Sequence, residues 1–182
     1  MAGIGSLNRA GRGLGMRQGG SKYASERYNP TMPRCGTLYI TFDGDFVQLQ
    51  GGARSYVYVA ASGRRVGSRF DYSLERQDDS GEGPIPAGSY WINPDELWQN
   101  AWYKFTASSS AWGNYRITLH PYPTTETYGR GGFFIHGGDE LGSAGCIDLA
   151  TSMDAFVKNL HSELGKTRIC HIQVAVRYRS PR

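Results

Sequence analysis

A chain of 182 residues that is 39% hydrophobic can bury one sizeable core, so one folded domain is expected. No stretch of about 18 apolar residues is present, which argues against a transmembrane helix, and the opening MAGIGSLNRAGRGLGMRQGG lacks the apolar centre of a secretory signal. The net charge of +4 is carried at the ends: residues 1–36 hold six Lys/Arg against one Glu, residues 166–182 hold five against none, and residues 37–165 carry a net −6, a distribution that disfavours nucleic-acid binding despite the basic total.

Residues 1–36 are rich in Gly, Arg and Ser without apolar periodicity and read as a flexible basic arm. From Thr37 the pattern becomes that of strands. TLYITFDGDFVQLQ sets Leu38, Ile40 and Phe42 on one face, turns at Asp43-Gly44, and returns through Phe46, Val47 and Leu49, which is a hairpin signal. SYVYVAASGRRVGSRF repeats the theme with a Tyr/Val strand, a Ser-Gly turn and a further short strand. GPIPAGSYWI predicts a rigid proline loop leading into an extended segment. PDELWQNAWYKF, with its starting proline and early acids, predicts a short helix. YRITLH (115–120) alternates as a strand, and GFFIH (132–136) is a short buried run.

ATSMDAFVKNLHSELGK is the clearest helix. Met153, Phe156, Val157, Leu160 and Leu164 fall at helical spacing, Thr151 or Ser152 is placed to cap the start, and Gly165 ends it. The final strand is TRICHIQVAVRY, with Cys170, Ile172, Val174 and Val176 alternating. Seven or eight strands and two helices make a mostly-β α+β fold, a β-sandwich with one principal helix directly after residue 146.

The chemistry concentrates in FFIHGGDELGSAGCIDL (133–149). His136 ends an apolar run, and Cys146 follows ten positions later on a tight Ser143-Ala144-Gly145-Cys146 turn. A thiolate is the nucleophile and a thiol is a poor one, so a catalytic cysteine needs a base to lower its pKa from about 8.5. Histidine is the usual base. Gly145 leaves its own N–H and that of Cys146 open to a substrate carbonyl, as an oxyanion hole requires. A backbone carbonyl near Gly137 and Gly138 is placed to hold the second ring nitrogen of His136. The bland alternative, a packed cysteine beside a satisfied histidine, stays open on spacing alone.

Three segments in order give this pattern a family. IHGG…SAGC resembles the signature of the L,D-transpeptidase catalytic domain, LYITFDGDFVQL…YVYVAASGR resembles its opening strands, and SGEGPIPAGSYWI resembles the segment between those strands and the histidine. The likeness runs from about Thr37 to Cys146 and into the helix beyond, so residues 37–182 are expected to form the catalytic domain. The His-to-Cys interval of nine residues is compressed, and Ala144 and Asp148 stand where the family has a second histidine and an arginine. With no signal peptide, this resembles a divergent branch, the antibacterial L,D-transpeptidase-like effectors of type VI secretion.

That resemblance implies Cys146 as nucleophile, His136 as general base, Gly145 and Cys146 as oxyanion-hole backbone, Gly137 as the carbonyl orienting the histidine, and Ser143 as the serine of the turn. It implies thioester acyl transfer on a peptidoglycan stem tetrapeptide, with release of the terminal D-Ala and passage of the acyl group to water or to a D-amino acid. It also implies a monomer that needs no cofactor or metal and inserts in no membrane. Such a protein would be made in the cytoplasm, delivered to the periplasm of a target Gram-negative cell, and partnered by a cognate immunity protein and a secretion-system component. Two alternatives stand beside it. One is a wall-binding module that has kept the fold and lost the chemistry, in line with Ala144 and Asp148; the other is a papain-like wall amidase or other cysteine peptidase, against which the order of His and Cys argues. Three cysteines leave at least one unpaired; Cys35 and Cys170 either form a bridge across the first and last strands or remain reduced.

Overall fold

The computed structural model describes residues 26–52, 54–99, 112–166 and 169–179. Eleven strands are present among them, β1 (Arg34–Phe42), β2 (Phe46–Gly51), β3 (Arg54–Val59), β4 (Ala61–Ser62), β5 (Gly88–Ile92), β6 (Trp98–Gln99), β7 (Tyr115–Thr118), β8 (His120–Pro121), β9 (Phe134–His136), β10 (Ile147–Asp148) and β11 (His171–Val176). Two α-helices join them, α1 (Leu74–Asp78) and α2 (Met153–Leu164). The strands form a six-stranded sheet in the order β3-β2-β1-β11-β5-β8 and a five-stranded sheet in the order β4-β10-β9-β7-β6. Both sheets are mixed: β1 runs parallel to β11 and β9 parallel to β10, and the remaining pairs are antiparallel. The fold is therefore mostly β with one main helix, as expected.

The first hairpin forms where Asp-Gly placed it. Tyr39 pairs with Gln50 and Phe42 with Val47, Gly44 takes a positive φ of 104°, and the Asp43 carboxylate accepts the N–H groups of Asp45 and Phe46. That side chain closes the turn together with a backbone bond from the Asp43 N–H to the Phe46 carbonyl at 3.2 Å. The inward residues of both sheets meet α2 in one core. Ile117, Ile135 and Ile147 come from the smaller sheet, Ile40, Leu49 and Val174 from the larger. From α2, Met153, Phe156, Val157, Leu160 and Leu164 are buried, each stabilising by about 1.5–3 kcal/mol relative to exposure.

Four expectations change. The strand count rises because β4, β6, β8 and β10 are two-residue pairings, too short to show alternation in sequence. The segment expected as a helix from Pro94 opens instead as a 3-10 turn, Pro94–Glu96, capped by Asn93. It then becomes β6, because Trp98 pairs across to Arg116; residues 100–105 of that segment lie outside the described residues. Helix α1, started by the Ser73 side chain, was not anticipated. Finally, β1 begins at Arg34, not Thr37, because Cys35 is bonded to Cys170 beside it. The last residues assigned to the arm are packed: the Trp91 indole donates to the Tyr28 carbonyl, and the Tyr28 hydroxyl bonds His120. Residues 1–25 of the arm lie outside the described residues. Among the described residues no helix is long and apolar enough to cross a membrane.

Candidate active site

The site lies on the smaller sheet, where parallel β9 and β10 set His136 directly beside Asp148 and Ile135 beside Ile147. Strand alternation sends the two isoleucines to the core and the two polar side chains to the opposite face. Both are buried, His136 fully. His136 Nδ1 bonds the Gly137 carbonyl at 2.5 Å, which fixes the neutral ring with its proton on Nδ1 and leaves Nε2 as the acceptor. Among the described residues Nε2, which is buried, has no hydrogen-bond partner. A buried acceptor left unbonded is costly, and it is the atom a general base would use.

Asp148 completes this arrangement. Its Oδ1 lies 4.0 Å from His136 Nδ1, and its two oxygens accept the N–H groups of Ala150 at 2.8 Å and Gly142 at 3.1 Å. Burial pushes its carboxyl pKa up, while the histidine and those two donors favour the carboxylate. Burial likewise holds His136 below the ordinary histidine range, with Asp148 and the Gly137 carbonyl pulling the other way and Arg116 adding to the depression. The resting imidazole is therefore neutral at physiological pH, the form a base needs.

Glycines permit the packing. A Cβ on Gly137 would sit 2.8 Å from the Ala150 carbonyl and 2.8 Å from Met153 Cβ. Gly113, at φ +62°, lets its backbone approach Gly137, where a Cβ would come within 2.9 Å of the Gly137 carbonyl carbon. This brings the preceding Trp112 ring to 4.8 Å from the His136 ring.

The Cys146 turn is held from behind. The buried Arg130 guanidinium donates to the carbonyls of Gln77, Pro84 at 2.7 Å and Gly83 at 3.0 Å, gathering the proline loop. Gly83 in turn accepts the Gly145 N–H at 2.9 Å, and the Ser143 carbonyl accepts N–H groups from Gly63 at 2.9 Å and Cys146 at 3.3 Å. Gly145 has φ +74°, and a Cβ there would lie 3.3 Å from the Arg130 guanidinium. Cys146 is buried and reduced. Its sulfur points to the Gly132 carbonyl at 3.9 Å. Burial pushes the thiol up to about 12, against the Phe134 N–H and the Ser143 side chain, both of which favour the thiolate.

One expectation is corrected here. The Gly145 N–H is committed to Gly83 and the Cys146 N–H to its own turn, so this pair does not present an open oxyanion hole. The reason is the Arg130-organised loop, which packs directly behind the turn. The Cys146 thiol bonds the Gly132 carbonyl and not His136, whose Nε2 has no partner among the described residues. The structure does place Gly137 on the histidine and Ser143 on the sulfur. Asp139 and Glu140 are exposed, in keeping with a solvated loop. Asp148 stands where the resembled family has an arginine, and its partnership with His136 appears only in the register of β9 and β10.

A family model described as the Tlde1 domain matches residues 67–172, more than half of the chain. The chain belongs to the Tlde1 domain family. The match runs from before α1 into β11 and takes in His136, Cys146 and Asp148. Tlde1 domains are those of type VI secretion effectors. As a Tlde1 effector this protein is secreted towards target cells, and its partners include a secretion-system component and a cognate immunity protein. No curated protein matches the chain.

Proposed function

We propose that this effector is a cysteine-dependent L,D-carboxypeptidase and L,D-transpeptidase of the target cell's periplasm, acting on peptidoglycan stem tetrapeptides. The observation that carries the reading is the buried His136, with Nδ1 fixed on the Gly137 carbonyl, Asp148 beside it, and Nε2 unbonded. This is how a base is held in one tautomer and its protonated form stabilised.

The Cys146 proton passes to His136 Nε2 as the sulfur attacks the carbonyl of the L-centred third residue, forming a C–S bond. Collapse of the tetrahedral intermediate breaks the C–N bond, and the imidazolium gives its proton to the departing D-Ala amine. A water then attacks the thioester while His136 removes its proton, and the thiol is restored; a D-amino acid in place of water gives exchange. Each cycle removes a donor tetrapeptide. Asp148 stabilises the imidazolium present in both halves. Because burial keeps the resting thiol protonated, attack starts from a neutral pair and needs the sulfur to turn from the Gly132 carbonyl towards Nε2.

The same closed geometry favours a second reading, a wall-binding module without chemistry, since the thiol is buried and not bonded to its base. Acid-quenched protein from a tetrapeptide incubation separates the two. An acyl group on the peptide containing Cys146, removed by hydroxylamine, supports the enzyme. D-Ala release at the wild-type rate by Cys146→Ala protein overturns it, and binding without release in the wild type establishes the module.

A further inference from the structure

One row of side chains crosses the smaller sheet. Trp98 on β6 pairs with Arg116 on β7, Arg116 with His136 on β9, and His136 with Asp148 on β10. Directly opposed residues share a face, with Cβ atoms about 4.5–5.5 Å apart in antiparallel pairs. Arg116 is therefore the immediate neighbour of His136 on the side away from Asp148.

Its guanidinium is framed by rings. It lies 4.5 Å from the centre of Trp98, 5.6 Å from Phe134 and 5.7 Å from Trp112. Among the described residues no carboxylate pairs with it, and the segments outside them (1–25, 53, 100–111, 167–168 and 180–182) contain no Asp or Glu. Aromatic faces fix the plane of a guanidinium and leave its N–H edge free for two parallel hydrogen bonds to a carboxylate. The half-buried charge is felt at the base, since Arg116 helps to hold His136 below its ordinary range.

We infer that Arg116, framed by Trp98, Trp112 and Phe134, is a specificity-determining site for the terminal α-carboxylate of the peptide whose amide bond is cut. This rests on the acyl-transfer reading above, because it uses the geometry of the leaving group. The amine that His136 protonates and the carboxylate of the same residue are two bonds apart, so a cation next to His136 across the ladder meets that carboxylate while the base meets the amine. The site makes the enzyme an exopeptidase. Stem peptides whose fourth carboxyl is already bound in an amide lack the charge and are excluded.

Three probes on Cys146→Ala protein, which binds without turning over, test this by calorimetry. Nα-acetyl-L-lysyl-D-alanine has the terminal carboxylate alone, its C-terminal amide has none, and meso-diaminopimelyl-D-alaninamide, Nα-acetylated, has only a side-chain carboxylate. The acid is expected to bind about ten- to a hundredfold more tightly than the lysyl amide, the range for a charge-assisted bidentate pair. Adding Arg116→Gln should abolish that ratio, and Arg116→Lys should keep part of it. Equal binding of acid and lysyl amide overturns the inference, as does a ratio that survives Arg116→Gln in folded protein. A preference for the diaminopimelyl amide that depends on Arg116 also overturns it, by moving the charge to the third residue. Because binding is read without turnover, Arg116-dependent selection of the acid stands even if wild-type protein releases no D-Ala, a result that would sink only the reaction.

Discussion

Replacing Asp148 by Asn tests the electrostatics of the site. The Asp148 Oδ1 to His136 Nδ1 separation is 4.0 Å, and both side chains are buried. Unit charges at about 4 Å interact by about 4 kcal/mol at an effective dielectric of ~20, a stabilisation realised only when the imidazolium forms. Its loss is worth a factor of about 10³ in rate at ~1.4 kcal/mol per decade, and relaxation of the site reduces this towards about 10². The Asn amide also faces one of the two N–H donors that Asp148 accepts, so a small loss of stability should accompany the effect. The pH dependence has a definite sign. Burial lowers the His136 pKa and Asp148 raises it, so removing the carboxylate lowers it further. In D-Ala release assays across pH, Asp148→Asn should therefore lose about 10²–10³ in kcat while the acid limb of kcat/KM moves to lower pH. An acid limb that moves up, or a kcat within threefold of wild type, refutes the role given to Asp148.

Other outcomes follow from the packing. Gly137→Ala drives a Cβ to 2.8 Å from both the Ala150 carbonyl and Met153 Cβ; a loss of about 1–3 kcal/mol in denaturant unfolding is expected, together with loss of activity. The Cys35–Cys170 bridge spans 135 residues, so Cys35→Ala/Cys170→Ala should lower stability by about 2–5 kcal/mol under oxidising conditions and not under reducing ones. Iodoacetamide labelling of folded protein should be slow at pH 7 and still rising at pH 10, because burial pushes the Cys146 thiol up to about 12; a plateau below pH 9 would contradict the burial argument. Arg130→Met removes the donor that gathers the carbonyls of Gln77, Gly83 and Pro84, so a Tm drop and faster Cys146 alkylation are expected.

The elements legible in the sequence are those whose periodicity had room to repeat. Helix α2 shows five buried residues at helical spacing, and the β1–β2 hairpin shows alternation on both sides of Asp43-Gly44. Two-residue strands have no period, which is why the sequence predicts a helix across β6 even though Trp98 pairs with Arg116. At the site, His136, Cys146 and the carbonyl beside Gly137 are visible through residue type and spacing, and Ser143 through the family resemblance. Asp148 and Arg116 are not, because their partnership with His136 exists only through the register of β7, β9 and β10. The commitment of the Gly145 N–H was equally hidden: it depends on Arg130 holding Gly83, a contact between residues 47 positions apart.

The central claim is acyl transfer by Cys146. The most direct measurement is mass spectrometry of purified disaccharide-tetrapeptide incubated with wild-type and Cys146→Ala protein, with and without D-methionine. The expected result is loss of the terminal D-Ala in water and its replacement by D-Met when that amine is present, both only with Cys146 in place. Unchanged tetrapeptide in every sample of folded protein would contradict it.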